Sequence, residues 1–183
     1  MKPLCALPLI LIAMGEIHAG DNAELLALPS DGWRLVTDGV MGGVSRAQMS
    51  PETVGGFHCV ALRGRVSTEN NGGFIQIAMD IRDVADRAAA YDGLRLDVTG
   101  NGETYNVHLR TADLWLPWQS FRASFETTPD WTSVYLPFSS FTSYRTSADL
   151  DLPKLRRLGI VAIGRDFDAE LCVRDLAFYR AGR

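Results

Sequence analysis

The sequence is poor in the residues that most enzyme chemistry requires. Three histidines and three cysteines are spread over 183 residues. No His-X-X-X-His or Cys-X-X-Cys spacing occurs, so no zinc site is encoded locally. No Gly-X-Ser-X-Gly elbow is present, and no glycine-rich loop is followed by a lysine and a helix. Positive charge is not in excess either. The 18 Lys and Arg are outnumbered by 22 Asp and Glu, for a net charge of −4, which leaves no general basic field to hold a nucleic-acid backbone. Helical periodicity is nearly missing, and Asn-X-Ser/Thr sequons are missing altogether. No cofactor is expected, no metal is expected, and the sequence nominates no catalytic set.

The one long apolar run lies at the start. Lys2 precedes Leu4 to Met14, and Ile17-His18-Ala19 places a small residue at a cleavage position, the pattern of a secretory signal peptide. Eleven residues of helix rise only about 16 Å, roughly half the hydrocarbon thickness, so stable membrane insertion is not expected. Residues 1–19 are therefore read as a leader and the mature chain as periplasmic or secreted. Cleavage removes Lys2 and Glu16, and leaves Cys59 and Cys172 as the remaining cysteines. In an oxidising compartment they form a disulfide or remain two buried thiols, and sequence separation does not decide between these.

Beyond the leader, apolar and polar residues alternate. Leu94, Leu96 and Val98 are followed by Gly100-Asn101-Gly102 and then by Tyr105, Val107 and Leu109, which predicts a hairpin. Phe121, Ala123 and Phe125, the turn Thr128-Pro129-Asp130, and Trp131 to Leu136 predict a second. Further strands are expected over 33–37, 54–64, 74–80, 158–164 and 170–179, with the only helical stretches near 83–90 and 152–157. Many short strands, turn-rich spacing and no linker predict one antiparallel sandwich or barrel over residues 25–181.

Several segments stand out from that framework. Asp38-Gly39-Val40-Met41-Gly42-Gly43-Val44-Ser45 is read as a tight crossover in which Asp38 and Ser45 fasten backbone amides, or else as an exposed recognition loop. Asn70-Asn71-Gly72-Gly73-Phe74 is a turn entering a strand. Trp115 and Trp118 flank Pro117 in an expected loop, where exposed aromatic rings stack on a sugar or anchor a protein partner. Arg95, Asp97, Asn106, His108, Arg110, Arg122, Ser124 and Glu126 are expected on one outward sheet face, a solvated surface or a polar groove. Asp166-Phe167-Asp168 reads as an acidic hairpin turn rather than a calcium site.

Taken in order, these motifs resemble the complex I intermediate-associated protein 30 family. The resemblance rests on the Asp38 to Ser45 segment, Phe57 with Leu62-Arg63-Gly64, Asn71-Gly72-Gly73-Phe74, Tyr91-Asp92-Gly93-Leu94, Gly100-Asn101-Gly102 with Tyr105, Trp131 with Leu136-Pro137-Phe138, and Phe141. It implies an all-β antiparallel jelly-roll sandwich, like galactose-binding domains and related to carbohydrate-binding modules. It also implies a non-catalytic accessory or assembly factor that engages a protein partner, with carbohydrate binding as the alternative. An exported leader departs from the mitochondrial members. The residues proposed for a functional surface are Asp38, Met41, Ser45, Asn71, Arg110, Trp115 and Trp118.

Overall fold

The structure, a computed structural model, describes residues 23–182. The expected leader lies outside the described residues. Alternating side chains form twelve strands: β1 (Glu24–Ala27), β2 (Arg34–Thr37), β3 (Arg46–Val54), β4 (Phe57–Val66), β5 (Phe74–Asp80), β6 (Gly93–Gly100), β7 (Thr104–Thr111), β8 (Ser120–Glu126), β9 (Thr132–Pro137), β10 (Thr142–Tyr144), β11 (Leu155–Ile163) and β12 (Phe167–Arg180). One short helix, α1 (Arg82–Ala88), follows β5. It turns Val84, Ala85 and Ala88 inward, the spacing expected of a two-turn helix with one apolar face.

The strands build a two-sheet antiparallel sandwich of the jelly-roll type. The first sheet runs β3-β4-β12-β6-β9 with β1 also against β12, and the second runs β10-β8-β7-β11-β5-β2. Leu62, Leu94, Leu96 and Phe178 of the first sheet pack within the same core as Ile77, Leu109, Leu158 and Ile160 of the second. Outward positions carry the polar residues, as strands with one buried face require.

Neither expected hairpin forms. β6 pairs with β12 and β9 in the first sheet, whereas β7 pairs with β8 and β11 in the second. Gly100-Asn101-Gly102 is thus an arch between sheets. Tyr105 secures it, its hydroxyl donating to Asn101 Oδ1 at 2.9 Å and accepting from the Glu170 amide at 2.9 Å. β8 and β9 likewise lie in different sheets, as do β11 and β12 on either side of the Asp166 turn. Alternation marks which face of a strand is buried, and both sheets bury a face against the same core, so it does not choose the sheet. The hairpins that do form include β3-β4 about Gly55-Gly56, both at positive φ.

Three strands escaped the sequence reading: β1, β3 and β10. β3 contains Pro51 and few apolar residues, and it is an edge strand, the place where a sheet tolerates proline. Cys59 on β4 and Cys172 on β12 are joined by a disulfide with Cα atoms 5.7 Å apart. It lies on the outer side of the first sheet, beside Trp131.

Candidate functional site

The glycine-rich segment after β2 folds around its own aspartate. Asp38 is fully buried. Its carboxylate accepts from the Ser45 amide at 3.1 Å and hydroxyl at 2.5 Å, and from the Gly73 and Phe74 amides at 2.6 and 3.3 Å. Burial pushes its pKa up, but the bonds from Ser45, Gly73 and Phe74 outweigh it and hold the carboxyl below its ordinary range. A Cβ at Gly43 would lie 2.3 Å from the Asp38 carboxyl carbon, and one at Gly72 would lie 2.5 Å from a carboxylate oxygen. Two sequence motifs thus meet at one buried charge. Met41 and Asn71 stay exposed above it, whereas Asp38 and Ser45 are spent on holding the loops.

The loop between β7 and β8 is built around Arg110. Its guanidinium donates to the carbonyl oxygens of Leu114, Leu116, Pro117 and Gln119 at 2.5–3.2 Å. The Gln119 side chain accepts from the Leu116 amide and donates to the Arg145 carbonyl. Lys154 pairs with Asp113 at 3.1 Å. So braced, the loop holds Trp115 at 90% and Trp118 at 46% exposure, with Leu116 also exposed between them. Arg110 is therefore the inner clamp of this apolar knuckle.

The expected outward set divides between the sheets. Arg95 and Asp97 face out from the first sheet, paired at 2.7 Å, with Asp97 also accepting from Ser133 at 2.6 Å. Asn106, His108, Arg110, Arg122, Ser124 and Glu126 share the outer side of the second. Sequence reasoning missed what stands beside them. Register places Arg34, Ala78, Gly159, His108 and Arg122 in one cross-strand row, with Asp80, Arg157 and Arg110 in the next. The Arg122 guanidinium lies 3.4 Å from the Tyr144 ring centroid. His108 sits among these cations, and burial followed by Arg122 and Arg157 lowers its pKa to about 3. Only the assembled β-register could reveal this face, since its arginines come from β2, β7, β8 and β11.

The expected site residues fall into two groups. Asp38, Met41, Ser45 and Asn71 lie at the end of the second sheet where β5 begins at Phe74, opposite Ile163. Arg110, Trp115 and Trp118 lie at the other end, where Leu155 pairs with Thr111. Six residue steps of β5 between the ends span about 20 Å.

A cleft of about 610 Å³ opens on the first sheet. There β12 changes partner from Val60 of β4 to Ala27 of β1, through a bulge between Arg174 and Ala177 with Asp175 at φ 49°. Leu25, Trp33, Leu176, Arg95 and Arg174 are among its walls. Arg174 is already committed, its guanidinium stacked 3.9 Å from the Phe57 centroid and bonded to Asp97.

The sequence pattern that defines complex I intermediate-associated protein 30 (CIA30) matches residues 23–173. The chain belongs to that family. The match takes in the buried Asp38 knot, the Arg110 clamp and the tryptophan loop of this CIA30 domain. No curated protein matches the chain significantly by sequence. Among solved structures it is similar to a family 11 carbohydrate-binding module from Clostridium thermocellum in complex with a beta-1,3-1,4-mixed-linked tetrasaccharide. The TM-score is 0.69 at 13% identity, covering 87% of this chain and 96% of that one. It is also similar to the family 30 module of a cellulosomal cellulase of the same organism, with a TM-score of 0.58 at 13% identity over 87% and 100% of the chains. An exo-beta-agarase matches with a TM-score of 0.54 at 10% identity, over 87% of this chain and 26% of the agarase. At such identities the CIA30 chain shares a fold with these proteins, and fold alone does not carry a ligand across.

Proposed function

We propose that this CIA30-family chain is an exported, non-catalytic accessory factor that engages a protein partner through the Trp115–Trp118 loop and the adjoining outer face of the second sheet. The observation that carries this reading is Trp115, 90% exposed on a loop whose backbone is held by Arg110. An exposed tryptophan on a braced loop is costly in water and orders little on binding, the economy of an interface anchor. Crosslinking and co-purification of the tagged protein from its native host test it. A reproducible partner, lost from Trp115→Ala/Trp118→Ala, supports the reading, and the absence of any partner with a folded protein contradicts it.

Carbohydrate binding is the second reading. It is supported by the polar side chains in register across β7 and β8, where the Ser124 hydroxyl bonds Asn106 at 3.0 Å, and by likeness to modules of which one was solved with a bound tetrasaccharide. Calorimetry against neutral glucans at millimolar ligand decides it.

A further inference from the structure

We infer that the partner's contact segment is acidic: Arg34, Arg122 and Arg157 on the outer face of the second sheet receive Asp and Glu carboxylates, while Trp115, Leu116 and Trp118 cover its apolar residues. This rests on the protein-partner reading and names the partner's chemistry.

The first ground is an imbalance of charge. The chain is acidic overall, and many of its arginines are matched to carboxylates, as in Arg63 with Glu52, Arg65 with Asp168 and Arg180 with Glu24. Among the described residues, none of Arg34, Arg122 and Arg157 has a carboxylate within 4.0 Å. Arg46, Arg87 and Arg156 are unmatched among those residues too, but they are not gathered as Arg34, Arg122 and Arg157 are, in two neighbouring cross-strand rows. The acids on this face do not fill the gap. Asp80 lies opposite Arg157 and near enough to Arg34 to feel its charge, but its hydrogen bonds go to Arg82, and Glu126 stands at the far end of β8.

The second ground is the floor between these arginines. Ala78 and Gly159 occupy the row joining Arg34 to His108 and Arg122, both buried with the Gln76 amide oxygen over Gly159, so no charged side chain stands between Arg34 and His108. With strands about 4.8 Å apart, Arg34 and Arg122 stand roughly 19 Å apart across the face, with Arg157 in the next row. An extended segment repeats its side chains on one face every ~7 Å, so carboxylates at alternate positions reach successive guanidiniums.

The third ground separates a protein from a glycan. The aromatic ring that stands amid these arginines, Tyr144, has its face covered by Arg122 at 3.4 Å, with Arg145 at 5.3 Å. The Arg122 contact occupies a face of the Tyr144 ring and pre-orients the Arg122 fork for a carboxylate. Arginine and tryptophan side by side are the residues enriched at protein interfaces.

The test is direct binding of defined probes to the purified protein, read by fluorescence anisotropy. The probes are a labelled peptide of about a dozen residues with alternating Glu and two Leu, the same peptide with Gln for Glu, and an oligogalacturonate of equal charge. The Glu peptide should bind, lose at least tenfold in affinity to Arg122→Glu/Arg157→Glu, and weaken between about 50 and 300 mM salt. Arg122→Lys/Arg157→Lys keeps the charge and should retain most of the binding, which separates lost charge from lost folding. Equal binding of the Gln peptide, an affinity untouched by charge reversal, preference for oligogalacturonate, or no binding of the Glu peptide would each overturn the inference. If the native-host experiment recovers a partner through the tryptophans while the Glu peptide fails, the inference falls and the protein-partner reading stands. If the Glu peptide binds and no partner is recovered, it is the protein-partner reading that fails.

Discussion

The guanidinium of Arg110 lies 2.5 Å from the carbonyl oxygen of Gln119, the residue at which the tryptophan loop returns to the sheet. One side chain thus closes the loop that carries both exposed tryptophans. A lysine offers one point charge where the arginine fork reaches four carbonyls.

Arg110→Ala is expected to cost about 2 kcal/mol, the worth of hydrogen bonds to a charged group. Its mark should be local. Amide exchange over residues 112–119 should accelerate while β4 and β12 stay protected, and Arg110→Lys should fall between the two.

Asp38→Ala leaves the Gly73 and Phe74 amides and the Ser45 hydroxyl without their shared acceptor. A loss of about 3 kcal/mol or more in urea unfolding is expected. Asp38→Asn keeps the shape but turns an amide donor toward other donors, so it should also be strongly destabilised. Met41→Ala, at the exposed top of the same loop, should change stability by less than about 0.5 kcal/mol.

The Cys59–Cys172 bond closes a span of 113 residues, for which chain entropy gives a stabilisation of about 5 kcal/mol. Reduction should lower the melting temperature without altering the far-ultraviolet spectrum of the folded protein. Cys59→Ala/Cys172→Ala should be insensitive to reductant.

Stability should fall on mild acidification because of His108. Half-buried with its Nε2 fully enclosed, and facing Arg122 and Arg157, it holds a pKa of about 3 against an ordinary 6.5. The unfolded chain therefore binds a proton that the folded chain refuses between these values. Stability then rises with pH across that window, by up to about 1.4 kcal/mol per unit. Asp38 has a lowered pKa and loses its contribution to stability only as pH falls below about 3.8, so the two groups separate by pH. Urea midpoints of wild type and His108→Gln should converge as pH falls from about 6.5 toward 4.

Much of the fold is legible in the sequence, and the reasons differ by element. β6, β7 and β8 announce themselves by strict alternation, and the crossover at Asp38 by an acid and a serine around three glycines. Sheet membership is not legible, because Gly100-Asn101-Gly102 serves an arch as readily as a hairpin. Of the site, the tryptophan pair beside Pro117 is visible in one dimension. Arg34 and Arg157 are not, since they lie far apart in the chain and become neighbours of Arg122 only through the order β8-β7-β11-β5-β2. Nothing local distinguishes them from arginines such as Arg65, which is paired with Asp168.

The central claim is that the partner is met on the second sheet's outer face and not at the cleft of the first. A photo-reactive phenylalanine placed in turn at position 115, at position 144 and at position 58 beside the cleft, followed by irradiation in the native host, tests it most directly. Adducts of one discrete mass from positions 115 and 144, with none from position 58, are the predicted result. Adducts from position 58 alone would contradict the account and move the site to the cleft.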